Sequence, residues 1–368
     1  MNKAIRTIIQ FTLFFGVGFA ILYWVYQGQQ AAYQSQCDLD FVEACVAQGT
    51  SEADCELQLP FADCSLAKKI ISDFRGANYF WLFVIIICYI ISNISRALRW
   101  NQLIRPLGYK PRLFNTFWAT MTGYFANLAL PRLGEVVKPG LVARYEKIPL
   151  EKVFGTIVID RLMDVFMLAS VMGLAFLLEF DKIWSFIQEN QGDSTGVPTW
   201  ILIVGGVFVL FAIIAFVFRK QIMETALFAK IKQILLGFWE GIQSVRGLDN
   251  TPVFILHTFI IWVMYFLMTW LCFFAFEPTS EFGPVIGLVV FVFGSLGIVI
   301  PSPGGMGSYQ FLVTSALVIY GLNGNDGFSF SMIIFVTINL ANILFGILAF
   351  ALLPYLNKRH PVLEPEPQ

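Results

Sequence analysis

The sequence predicts an all-α polytopic membrane protein. It has about six full transmembrane helices plus two re-entrant broken-helix hairpins in an inverted-repeat arrangement. Three observations predict it. First, 57% of the 368 residues are hydrophobic and only 13% are charged, against about 25% charged in a soluble domain. Second, apolar runs long enough to span a bilayer recur near 5–26, 78–95, 153–179, 199–218, 253–276 and 330–356. Two more, 113–131 and 284–322, are interrupted by Pro and Gly. Third, basic residues segregate. If the N-terminus is inside, most of the 24 Lys and Arg fall inside, with Lys68, Lys69, Arg75 and Lys182 outside and Arg161 in a span. That is the skew expected of cytoplasmic loops.

Residues 1–26 read as a retained first helix. Lys3 and Arg6 precede an apolar core longer than that of a signal peptide, and no small-x-small cleavage site follows. Residues 27–77 form an acidic extracytoplasmic loop carrying Cys37, Cys45, Cys55 and Cys64. Four thiols on the oxidising side imply two disulfides. Three pairings are open, and a stapled helical hairpin fits the spacing. A metal site is disfavoured because no CxxC pair or His lies nearby. The core, 78–356, follows, and 357–368 is a Pro- and Glu-rich cytoplasmic tail expected to be disordered.

The run 113–131 is flanked by Arg96, Arg99, Arg105, Lys110 and Arg112 before it and by Arg132, Lys138, Arg144, Lys147 and Lys152 after it. With both flanks inside, the run dips in and returns. Backbone at membrane depth is tolerated only where it packs in protein or lines a wet cavity. The break holds Asn127, Pro131, Arg132, Gly134, Glu135 and Lys138. Pro131 removes an amide donor and Gly134 frees the backbone. Half-helix ends there leave polar groups unpaired, while Arg132 and Lys138 suit phosphate. A plain cytoplasmic loop would look similar.

The second break is Pro301-Ser302-Pro303-Gly304-Gly305-Met306-Gly307-Ser308-Tyr309-Gln310. No Lys or Arg lies between 247 and 357, so this hairpin is expected to enter from outside. One broken segment in each half, from opposite faces, points to a transport pathway between them.

Asp160, Arg161 and Asp164 sit inside the third full span. A charge there costs roughly 2.5–3.5 kcal/mol on insertion scales and calls for a partner or a wet cavity. Arg161 and Asp164 share a helix face. A structural pair and a pathway-lining Arg161, balanced by Glu135 or Asp164, both fit. Residues 221–250 read as an amphipathic interfacial helix or a plain linker. The sequence holds only two histidines, His257 and His360, and no catalytic, Walker or metal-ligand motif. No cofactor, metal or nucleic acid is expected, and the chain is not expected to be an enzyme.

The segments ALRWNQLI, GYFANLALPRLGEVVKPGLVARYEKI, TIVIDRLMD and IPSPGGMGSYQ together resemble the lysylphosphatidylglycerol synthase transmembrane-region family. This is the flippase-like membrane domain also found in multiple peptide resistance factors. The resemblance covers about residues 78–356. It implies re-entrant helices that move phospholipids or polyprenyl-linked lipids between leaflets. It carries Asn127, Pro131, Arg132, Gly134, Glu135, Arg161, Asp164, Pro303, Gly304, Gly305 and Gly307 onto the family's positions. Gln310 departs, standing where a Glu often follows the PGG turn. The cysteine loop looks like a subgroup insertion. The aminoacyl-transferase domain of fused members is absent from the chain, so synthesis of lysyl-lipid is not expected.

The sequence-level expectation is therefore a lipid flippase of a bacterial inner membrane with both termini cytoplasmic. Asn127, Arg132, Glu135, Lys138, Arg161, Asp164 and Gln310 would contact a phosphate-bearing lipid, with Pro131, Gly134, Pro301, Pro303, Gly304, Gly305 and Gly307 as hinges. The rival readings are an integral-membrane transferase using a lipid-phosphate donor and an accessory subunit docking a periplasmic partner through 27–77. A homo-oligomer is compatible with any of the three.

Overall fold

The computed structural model describes residues 3–47, 64–130, 132–180, 250–300 and 305–359, with 182, 248 and 302. Among the described residues there is no strand. The helices are α1 (Lys3–Ala47), α2 (Leu66–Gly76), α3 (Tyr79–Ile104), α4 (Leu113–Ala129), α5 (Gly134–Glu146), α6 (Leu150–Leu178), α7 (Thr251–Phe273), α8 (Pro284–Val299), α9 (Ser308–Ile319) and α10 (Gly324–Arg359). Of these, α3, α6, α7 and α10 are long and apolar enough to cross a membrane. The expected span 199–218, all of the 221–250 segment but 248 and 250, and the tail from 360 lie outside the described residues, as do Cys55, Pro131, Pro301, Pro303 and Gly304.

Local chemistry sets the ends. Asn78 opens α3 by accepting from the Phe80 amide, and Asn250 opens α7 by accepting from Val253. Pro252 and Pro284 occupy first-turn positions, where the missing N–H is harmless. Lys147 closes α5 in the left-handed region.

Two features differ from the sequence reading. The first helix does not stop near residue 26 but continues to Ala47. One arm of the expected stapled hairpin is thus α1 itself, and the Cys37–Cys64 disulfide ties it to the start of α2. Cys45 is also disulfide-bonded. Likewise α3 does not end at 95 but runs to Ile104. Arg96 and Arg99 therefore lie within a helix rather than in a cytoplasmic flank, because acidic partners on α6 neutralise them.

The run 284–322 folds as a pair of short antiparallel helices, α8–α9, whereas the run 113–131 is the single helix α4, and its antiparallel partner α5 comes from the segment read as its basic flank. The central core gathers Ile85 of α3, Met121 of α4, Phe273 of α7, Val313 of α9 and Phe330 of α10. α3 and α7 run antiparallel. The Asn78 amide donates to Ala275 O beyond the end of α7, while Arg99 near the other end of α3 meets Thr258. The contacts repeat in two sets. α3–α4 matches α7–α8, α4–α5 matches α8–α9, and α5–α6 matches α9–α10. Across the sets, α4 packs on α10 as α8 packs on α6, and α3 packs on α7.

Outward faces are strongly apolar: Phe80, Phe83 and Ile87 of α3, Val165 and Phe166 of α6, Phe259 of α7, Leu344, Ile347 and Phe350 of α10 are all exposed. Surface of that extent is stable against lipid rather than water. The chain is a multi-pass membrane protein.

Candidate functional site

Four helices converge on a buried cluster of charges. On α6, Asp160 and Asp164 are four residues apart and face the same way. On α3, Arg96 and Arg99 are three apart and meet them. Arg99 donates through Nε and Nη2 to Asp160 Oδ1 at 2.9 and 2.5 Å, and through Nη2 to Asp164 Oδ1 at 2.7 Å. Arg96 Nη1 donates to Asp164 Oδ2 at 2.7 Å and to Asp160 Oδ2 at 3.4 Å. Its Nη2 donates to the Tyr265 hydroxyl of α7 at 3.0 Å, and its Nε has no hydrogen-bond partner. Thr258 of α7 accepts from Arg99 Nη1.

The two arginines and two aspartates already balance. Lys138, from α5, is additional. Its Nζ lies 3.9 Å from Asp160 Oδ2 and 4.2 Å from the centre of the Trp100 ring. Trp100 is itself fixed by donating to Thr156 Oγ1 at 2.9 Å. Arg161 and Glu135 close the outer edge at 3.6 Å. Four cations thus face three carboxylates, an excess of one positive charge. Exposure is graded: Glu135 and Arg161 side chains are 44% and 40% exposed, Asp164 15%, and Asp160 fully buried. The cluster opens on one side.

One side-chain bond shapes the first hairpin. The Gly134 amide at the start of α5 donates to Asn127 Oδ1 at 2.7 Å. A Cβ at Gly134 would fall onto Gly123 O. The glycine is needed because α4 and α5 touch there. The left-handed residue of the turn is Arg132, with φ 66°. Arg132 is exposed at the tip. In the second hairpin Gly305 and Gly307 take φ 83° and 84°. The Gly307 amide donates to Gln310 Oε1 at 2.7 Å.

Of the sequence-predicted residues, Lys138, Asp164, Arg161 and Glu135 come together. Asn127 and Gln310 instead satisfy amides at the two breaks, and Arg132 stands apart at a tip. Arg161 and Asp164 approach only to 4.0 Å, since Arg96 and Arg99 hold Asp164 more closely. Sequence reasoning missed Arg96 and Arg99 as site residues and left Asp160 unassigned. The available signal was the match between Arg-x-x-Arg in 96–99 and Asp-x-x-x-Asp in 160–164.

Residues 64–346 match the family model described as the lysylphosphatidylglycerol synthase TM region. A UPF0104 membrane protein of Pyrococcus horikoshii is 25% identical over 274 residues, covering 68% of this chain and 80% of that protein. A UPF0104 membrane protein of Methanocaldococcus jannaschii is 23% identical over 249 residues, covering 66% and 98% respectively. Glycosyltransferase AglD of Haloferax volcanii is 25% identical over 92 residues, covering 25% of this chain and 15% of AglD. No solved structure matches the chain.

Proposed function

From the premise that the chain belongs to the lysylphosphatidylglycerol synthase transmembrane-region family, we propose that it moves a phosphate-bearing lipid between leaflets. The observation that carries this reading is the cluster's uncompensated cation. Lys138 projects from the short hairpin helix α5 into a charge network already balanced without it. A buried ammonium with one distant carboxylate and an aromatic face is poised for an anion. Arg161 and Glu135 would form the entrance, and Lys138 would meet the phosphate beneath them.

The hairpins supply the pathway. α4 and α5 have 17 and 13 residues, α8 and α9 have 16 and 12. At 1.5 Å per residue these reach about 18–26 Å, short of the ~30 Å hydrocarbon core. We read both as re-entrant. The paired contact pattern and the antiparallel α3 and α7 support an inverted repeat, α3–α6 against α7–α10, with one hairpin from each face. The disulfide-bearing end would face the oxidising side of the membrane. The sequence holds no nucleotide motif, so movement would be downhill or driven by membrane potential, worth about 2.3 kcal/mol per charge per 100 mV.

The AglD likeness favours one second reading, an intramembrane transferase whose cluster holds a lipid-linked phosphate donor. It covers 15% of AglD, too little to transfer that protein's activity. Native mass spectrometry of co-purified lipids tests the binding step shared by both readings. A phosphate-bearing lipid should accompany the wild type and be lost in Lys138→Met and Arg161→Ala. An unselective lipid profile unchanged by either substitution would remove the basis for the cluster as a lipid site.

A further inference from the structure

A second seam lies far along the chain from the charge cluster, where α1, α2 and α10 meet. It holds a polar cavity of about 250 Å³ lined by Tyr33, Gln36, Lys69, Asn323, Asn325 and Asp326. In the same seam an apolar groove of about 370 Å³ is lined by Leu22, Tyr23, Ile70, Ile71, Phe328 and Met332, among others. Leu22, Tyr26 and Tyr33 share one face of α1, and Asn325, Phe328 and Met332 share one face of α10. These faces meet around the buried Val25, Leu66 and Phe328. Tyr23 and Trp24 are exposed beside the groove, as aromatic residues are at a membrane interface.

We infer that this seam binds the polyhydroxyl head group of a membrane lipid in the cavity, with an acyl chain in the groove. The inference does not rest on the transport reading. Lys69 donates to Asp73 and is paired with Asp326, each at 2.7 Å, so the cavity offers no spare positive charge for a phosphate. Burial lowers the Lys69 pKa, but hydrogen bonds and charge from Asp326 and Asp73 outweigh it and hold it above the ordinary lysine value. Asn325 is 2% exposed, and its Oδ1 has no hydrogen-bond partner. A buried acceptor left unmatched is costly and calls for a donor from a ligand. Gln36 accepts from Asn323 Nδ2 at 2.6 Å, which leaves its own amide N–H₂ at the rim. The cavity therefore offers both a donor and an acceptor. Vicinal hydroxyls, each donor and acceptor at once, match that pattern better than a single charge of either sign.

The test uses the full chain in nanodiscs. Binding of a monoglucosyl diacylglycerol, free glucose and phosphatidylethanolamine is measured for the wild type, Gln36→Ala and Ile71→Trp. Both substitutions lie on exposed positions, and a thermal melt of each variant controls for folding. The glucosyl lipid should saturate the wild type. Each substitution should weaken it by about tenfold, as loss of one hydrogen bond to the head group or of the groove implies. Free glucose should bind at least that much more weakly than the lipid. Glucose binding as tightly as the lipid, unaffected by Ile71→Trp, would overturn the lipid part. Preference for phosphatidylethanolamine, or no binding of the glucosyl lipid, would overturn the proposal.

Discussion

Asp160 lies within 4 Å of Arg99, Arg96 and Lys138, so removing it strands buried cations. Asp160→Ala should destabilise the protein by about 3–5 kcal/mol, the scale for breaking a buried ion pair from one side. Arg161→Ala, at the exposed edge, should cost no more than about 1 kcal/mol. Denaturation of the two variants in one lipid environment checks the contrast; equal losses would mean the cluster is not the buried anchor described here. At this scale the sequence was partly legible. Arg161 and Asp164 drew notice because charge inside an apolar run has no cheap explanation, and Lys138 because a cation beside a helix break suits phosphate. Arg96 and Arg99 did not, because positive residues at a span's end look like a cytoplasmic flank. Only the fold shows that two carboxylates, more than sixty residues away in sequence, draw them in. Asn127 and Gln310 looked like ligand residues for a related reason. A polar side chain at a helix break suits a substrate and a backbone amide equally well.

The hairpins carry their own test. Gly134→Ala would push a methyl group into the backbone of α4 at Gly123, and should destabilise the protein by at least about 1–3 kcal/mol. Gly155 in α6 has nothing within 4 Å of a Cβ position. Gly155→Ala should therefore be neutral or stabilising by about 0.5–1 kcal/mol. Thermal melts of both separate a close-packed crossing from a general intolerance of change. Helix type and order were legible because apolar runs of span length have few other folds available. Helix ends were less so. α1 runs on past the apolar run that announces it, and α3 extends through two arginines. Hydropathy registers the change in polarity there, while the backbone continues to pay no penalty for it. The breaks were visible as Pro and Gly. The role of Gly134 was not, since close approach of two helices is a tertiary fact and the strained φ falls on Arg132.

For the whole molecule, the re-entrance we propose would fix which loops share a side. Lys110 and Lys147 bracket the first hairpin, and Glu281 and Asn323 bracket the second; all four are exposed. Single cysteines at these positions, probed with an impermeant thiol reagent in sealed vesicles, should label as two pairs on opposite faces. Lys110→Cys and Lys147→Cys labelling from opposite sides would mean that the first hairpin crosses. In the proposed inverted frame, Lys138 would sit on a helix free to shift without dismantling the core, because Arg96 and Arg99 remain balanced by Asp160 and Asp164. Lys138→Met should thus fold normally and fail in function. The most direct measurement is lipid movement in vesicles reconstituted with pure protein, following quenching of a tail-labelled phospholipid from the outer face. Wild type should equilibrate the label between leaflets, and folded Lys138→Met should do so at least about tenfold more slowly, as loss of one charge-assisted contact implies. Equal rates for the two folded proteins would contradict a lipid pathway through this cluster.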